Sequence, residues 1–194
     1  MAQRKLQLNR RLSVKVGMAA WATSLVGCTH AAPPSVGITL LFLNKGGRFI
    51  VVERFDPDGK RGPVPGALGS GAGLPDSAHG KQMSFMPGDS KRGVPEFVDV
   101  AWEESTPQAE AALGRIPKLT GKVSVGEQAS RKKLLDEAYA LRRSYAHRIN
   151  LTPILTPELL AQVRSSQSAT NLKLTVVFKG EDVTITAEPE VWRK

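Results

Sequence analysis

Few residues in this chain can do covalent or metal chemistry, and they are scattered. There is one cysteine, Cys28; a single thiol makes no internal disulfide and a poor metal site. His79-Gly80-Lys81 puts an imidazole two residues before an ammonium, an order that serves phosphoryl transfer when an aspartate completes the set. Met86 stands where that aspartate would be, and no second copy exists. Asp76, Ser77 and His79 are the residue types of a hydrolytic triad, yet neighbours this close on a coil rarely face one another. His30 and His147 belong to no converging set of metal ligands. Asp56-Pro57-Asp58-Gly59 opens like a calcium loop but lacks the remaining positions, and reads as a β-turn. The glycine run over residues 66–73 is followed by Leu74-Pro75 rather than by the lysine and Ser/Thr of a phosphate loop, so it reads as a turn-rich loop. The expectation is a protein that is not an enzyme and carries neither cofactor nor metal.

The surroundings of Cys28 give the thiol a different use. Arg4, Lys5, Arg10, Arg11 and Lys15 precede residues 16–26, which are uncharged and too short for a bilayer span of about 20 apolar residues. A basic start, a short apolar core and small residues at its end read as a secretory signal. Leu25-Val26-Gly27-Cys28 resembles the lipobox of bacterial lipoproteins. The resemblance implies cleavage before Cys28, a diacylglycerol on its thiol and an acylated amino terminus. Thr29 at the following position, rather than aspartate, favours the outer membrane. The expected organisation is a signal peptide over 1–27, an acylated cysteine and tether over 28–35, and one globular domain over 36–194.

The formal charge of +9 points at first to nucleic acid. Residues 1–27 carry five basic and no acidic side chains, so the charge falls from +9 to about +4 without them. No nucleic-acid partner is expected of such an exported, modestly charged domain. The expected location is the periplasmic side of a membrane, held there by the acyl chains.

The elements that must position any site follow from periodicity. Residues 36–44 are apolar on both alternating faces, as in a strand covered on both sides. Residues 49–55 are expected to return as the second arm of a hairpin. Residues 56–95 are crowded with Gly and Pro, with strand character at 81–86 alone. Residues 96–102 resume a strand, and a helical turn is expected around 108–113. A main amphipathic helix is predicted from Glu127 to about His147, with Leu134, Ala138, Leu141 and Tyr145 on one face. On it Arg131, Lys132, Lys133, Arg142, Arg143 and Arg148 would form a basic face, and His147 would cap the last carbonyls. Thr156-Pro157-Glu158 is the start of a shorter helix. Leu172, Leu174, Val176 and Phe178, then Val183, Ile185 and Ala187, alternate as a hairpin with one buried face. Strands at both ends around a helical middle make the class α+β: antiparallel hairpins forming a sheet or small sandwich, with one main helix and a long Gly/Pro-rich loop.

"ITLLFLNKGGRFIVVERFDPDGKRG", a glycine-rich stretch and "RGVPEFVDVAWEES" together resemble the short immunity lipoproteins encoded beside type VI secretion lipase effectors. The likeness covers residues 36–105, without the paired cysteines that some relatives carry in the loop. It implies that the partner is a secreted lipase or phospholipase, blocked by occlusion. Leu74, Met83, Phe85 and Met86 would supply apolar anchors, and Asp76 and Asp89 would meet a basic phosphate-binding site. The alternative reading is a structural or assembly lipoprotein of the cell envelope or a secretion machine.

Overall fold

Two apolar runs far apart in sequence, 38–44 and 170–179, lie side by side at the centre of one sheet. The computed structural model describes residues 36–75, 80–85, 93–118, 124–165 and 170–191. Among them the order is β1 (Ile38–Asn44), β2 (Ile50–Pro57), β3 (Gly66–Leu68), β4 (Lys81–Phe85), β5 (Phe97–Glu104), α1 (Pro107–Gly114), α2 (Val125–Tyr139), β6 (Arg143–Asn150), α3 (Pro157–Ser165), β7 (Thr170–Lys179) and β8 (Asp182–Val191). The class is α+β. One four-stranded sheet has the order β4-β1-β7-β8 and the other β3-β2-β5-β6. β1 and β7 pair in parallel, and the other pairings are antiparallel.

The inner faces of the sheets meet. Leu172, Leu174, Val176 and Phe178 share a face with Leu40 and Phe42, and all six are buried. Ile50, Val52, Phe55, Val98, Val100 and Trp102 are buried from the opposite sheet. Phe42 meets Phe55 edge-on at 5.1 Å, and Trp102 meets Phe178 at 5.2 Å. Each fully buried side chain of this size contributes about 1.5–3 kcal/mol, so these crossings hold the sandwich together. The expected start of α3 is present. Thr156 Oγ1 accepts from the Leu159 amide at 3.3 Å, and hydrogen bonds from the Glu158 amide and Thr156 hold the Glu158 carboxyl below its ordinary range. The β7–β8 hairpin also has the expected turn, with Lys179 opposite Asp182.

Four expectations need correction. β1 and β2 are not a hairpin: they lie in different sheets. Both edges of β1 are taken by β4 and β7, and both edges of β2 by β3 and β5, so pairing with each other would displace a long-range partner. The main helix stops at Tyr139, and Arg143–Asn150 is a strand. There β5 offers an eight-residue ladder from Glu104↔Arg143 to Phe97↔Asn150, which a longer helix would forfeit. Nor is α2 amphipathic in effect, since Ala138 is its one buried residue. Third, the basic residues expected on one helix are split: Arg143, His147 and Arg148 lie on β6, and Arg142 stacks over the Tyr139 ring at 4.1 Å while reaching Glu103 at 3.3 Å. Finally, the glycine run begins as a strand. Gly66–Leu68 pairs with β2 and buries Leu68.

Candidate functional site

Local sequence places two tight turns side by side at one end of the sandwich. Asn44-Lys45-Gly46-Gly47 leaves β1, and Gly180 reverses the chain after β7 with φ 63°, a left-handed conformation that favours glycine. The Lys45 amide donates to Phe178 O at 2.8 Å, carrying the parallel ladder into the turn. Gly46 allows a close approach: a Cβ there would stand 3.1 Å from Asn44 Oδ1 and 3.4 Å from Gly180 N. This end lies opposite the start of β1, roughly 20 Å away at about 3.3 Å per strand residue.

Asn44, 1% exposed, organises the turn. Its Nδ2 donates to Arg48 O at 2.7 Å and Gly69 O at 2.9 Å, and its Oδ1 accepts from the Gly46 amide at 2.9 Å. The segment after β3 is thereby tied to the β1–β2 turn. Ser70 Oγ donates to Gly46 O at 3.0 Å, and Lys45 Nζ donates to Leu74 O at 3.1 Å. The Leu74 amide closes a local turn onto Gly71 O at 3.0 Å. The Leu74 side chain stays 47% exposed.

Trp102 supports the second turn from below. Its Nε1 donates to Gly180 O at 3.2 Å, and His147 stacks on its ring at 5.4 Å. His147 Nε2 lies 3.1 Å from Glu181 O, so this residue caps a strand turn instead of the helix end expected of it.

Between the turns opens a cleft of about 480 Å³, lined by Lys45, Arg48, Lys179, Glu104, Glu110 and the glycines 46, 47 and 180. The two carboxylates make no ion pair among the described residues, and Glu104 Oε1 would stand 3.8 Å from a Cβ at Gly46. Glu104 lies opposite Arg143 across the β5–β6 ladder, and Glu110 sits in the first turn of α1, where the helix dipole favours a negative charge. Arg48 and Lys179 make no ion pair among the described residues. Lys179 in turn lies opposite Asp182, so the cleft lining mixes both signs of charge.

One exposed ion pair on the β5–β6 ladder is closely made. Arg148 grips Asp99 with two bonds of 2.7 and 2.8 Å and lies over the Phe97 ring at 4.4 Å. Its hydrogen bonds hold the Asp99 carboxyl below its ordinary range. Among the described residues, no group of three or more His, Cys, Asp or Glu could hold a metal, and no helix is long and apolar enough to cross a membrane.

Of the residues singled out from sequence, Leu74 is at this end and exposed. Met83 lies on β4 opposite Leu40 and packs half-buried against the core. The Phe85 backbone ends β4 opposite Ile38. Cys28, Asp76, Met86 and Asp89 lie outside the described residues, as do His30 and His79. Sequence reasoning missed Asn44, Lys45 and Arg48. Their position beside Gly46-Gly47 signalled a turn, but their second partners, Gly69 and Leu74, are brought in only by the tertiary fold. No protein family, curated protein or solved structure matches the chain.

Proposed function

We propose that the chain is an immunity lipoprotein, anchored through Cys28 on the periplasmic side of the membrane, that binds and blocks a secreted lipase or phospholipase. The observation that carries this reading is the display of Leu74. Its backbone is tied to Lys45 and Gly71, and its segment joins the edge strands of two sheets, so the apolar side chain is held out on a braced support. A binding segment ordered in advance loses less conformational freedom on docking, the property an inhibitory contact needs. The likeness of residues 36–105 to lipase-immunity lipoproteins supplies the partner class. Acyl chains bury about 0.8 kcal/mol per methylene and concentrate the inhibitor where a lipid-degrading enzyme works.

The test is capture from lysate of the source organism on the immobilised chain, followed by a phospholipid-hydrolysis assay of whatever is retained. The expected result is a stoichiometric lipase whose hydrolysis falls when the chain is added back, and less so with Leu74→Asp. Retention of envelope-assembly proteins without a lipase overturns the immunity reading in favour of the structural one.

A further inference from the structure

Among the described strands, β4, β8, β3 and β6 lie at the edges of the two sheets. A free edge is a template for another strand unless it is short, bulged or carries proline. β3 has three residues and β4 five. On β8 the guard is Pro189. Its ladder partner Leu172 turns its amide away from β8 to Gly37 O at 2.8 Å, so Pro189 stands with its backbone on the free side and has no N–H to offer there. β6 has none of these devices: it holds an unbroken eight-residue register with β5 from Glu104↔Arg143 to Phe97↔Asn150. The Leu151 amide bonds to Glu96 O at 2.8 Å, so the bonded pairs with β5 fall at Ile149, His147 and Tyr145. The N–H and C=O groups of Ser144, Ala146, Arg148 and Asn150 therefore point outward. All four residues are exposed, and no further backbone bond among the described residues takes up these groups. The Arg148 charge is held along the sheet by Asp99 and does not guard the edge.

The residues of β6 say what fits there, because the strand is complementary to its own reverse. With a two-fold axis at His147, Tyr145 faces Ile149 of a second copy on the inner side. On the outer side Ala146 faces Arg148 and Ser144 faces Asn150, so every outward N–H and C=O meets a partner and each arginine meets a methyl group. An axis at Arg148 would set like charges face to face, which destabilises a cross-strand pair. An axis at Ala146 would leave Asn150 beyond the end of the other strand. We propose that β6 pairs antiparallel with β6 of a second copy, joining two β3-β2-β5-β6 sheets into one continuous sheet about a two-fold axis at His147. The pairing is independent of what the chain blocks: β3, from which the Leu74 segment departs, is the opposite edge of this sheet.

Two measurements test it. First, the full chain in density-matched neutral detergent is followed by sedimentation equilibrium over a range of concentrations. A reversible dimer is expected. Ala146→Pro removes an outward N–H that serves no bond to β5, and is expected to abolish the dimer. Ala146→Lys, which brings a second cation to Arg148 of the other copy and keeps the backbone intact should the proline variant fold poorly, is expected to weaken it roughly 3- to 30-fold; Ala146→Glu is expected to strengthen it. A monomer at every concentration overturns the proposal, and so does a dimer indifferent to position 146. A monomer whose Ala146 and Arg148 amides exchange more slowly only with the captured lipase present assigns the edge to that enzyme instead. Second, single cysteines are oxidised in a Cys28→Ser background. His147→Cys places thiols on directly opposed residues, about 4.5 Å apart between Cα atoms, and is expected to link two copies. Ala146→Cys stands two residues out of register with its own copy, beyond the roughly 7 Å limit for a disulfide, and is expected not to. Linkage at 146 without linkage at 147 overturns the register and the two-fold axis with it.

Discussion

Two segments interrupt the strand succession, and they are held in opposite ways. The crossover after β3 leaves one sheet and enters the other, so both of its ends are edge strands and its middle is bonded to Asn44, Lys45 and Gly46. The arm between β5 and β6 leaves and rejoins the same sheet. Thr106 closes its base, accepting from the Ala109 amide at 3.1 Å and donating to Leu141 O at 2.8 Å. Beyond that base α2 buries one residue, Ala138, and leaves Leu134 and Val125 exposed. The crossover, for all its glycine, is part of the framework. The arm, although helical, stands largely outside it. Regular structure and structural importance are separable here, because what matters is how many distant elements a segment ties together.

The largest expected effect tests the crossover's core contact. Leu68→Ala empties a buried position and is expected to cost about 2–5 kcal/mol in urea unfolding; a loss under about 1 kcal/mol would show that β3 is dispensable. Next, Asn44→Ala strands buried donors and acceptors at about 1–3 kcal/mol, and limited proteolysis of residues 69–75 is expected to accelerate with it. On the arm, Ser124 and Glu127 cap α2 reciprocally. The Ser124 hydroxyl and amide donate to the Glu127 carboxylate at 2.7 and 2.8 Å and hold its carboxyl below the ordinary range. A carboxyl with a lowered folded-state pKa stabilises above its unfolded value and loses that contribution as pH falls through the folded one. Acidification below about pH 4, the ordinary carboxylate range, is therefore expected to release the amides at the start of α2 to hydrogen exchange before those of β7. Simultaneous release would mean the arm and sandwich are one cooperative unit. The smallest effect belongs to Leu134→Ala, expected within about 0.5 kcal/mol of the parent; a larger loss would reveal a packing role for α2.

Legibility followed the same division between local and distant causes. The β7–β8 hairpin, β5, β4 and the Thr156 cap were readable because alternation and capping are written in neighbouring residues. The end of α2 was not. Leu141 and Tyr145 continue its helical spacing, while Tyr145, His147 and Ile149 also alternate as a strand, and only the availability of β5 decides between them. β1 and β2 carry hairpin signals on both arms and a glycine turn between them. Their separation comes from partners more than a hundred residues away in one case, β7, and about fifty in the other, β5. The candidate site was half legible: the exposed leucine lay in the suspicious loop, whereas the cations that share its end lie in turns that read as plain reversals.

The parallel pairing of β1 with β7 has a consequence for how the chain matures. A polypeptide made from its amino terminus carries Ile38–Asn44 long before Thr170–Lys179 exists, so the central seam of that sheet stays open until β7 has been made. Contacts this distant are slow to form because closing a long loop costs entropy before the contact repays it. On the proposed export route the delay is useful: the chain remains unfolded enough to be threaded across a membrane, and the sandwich closes on the far side.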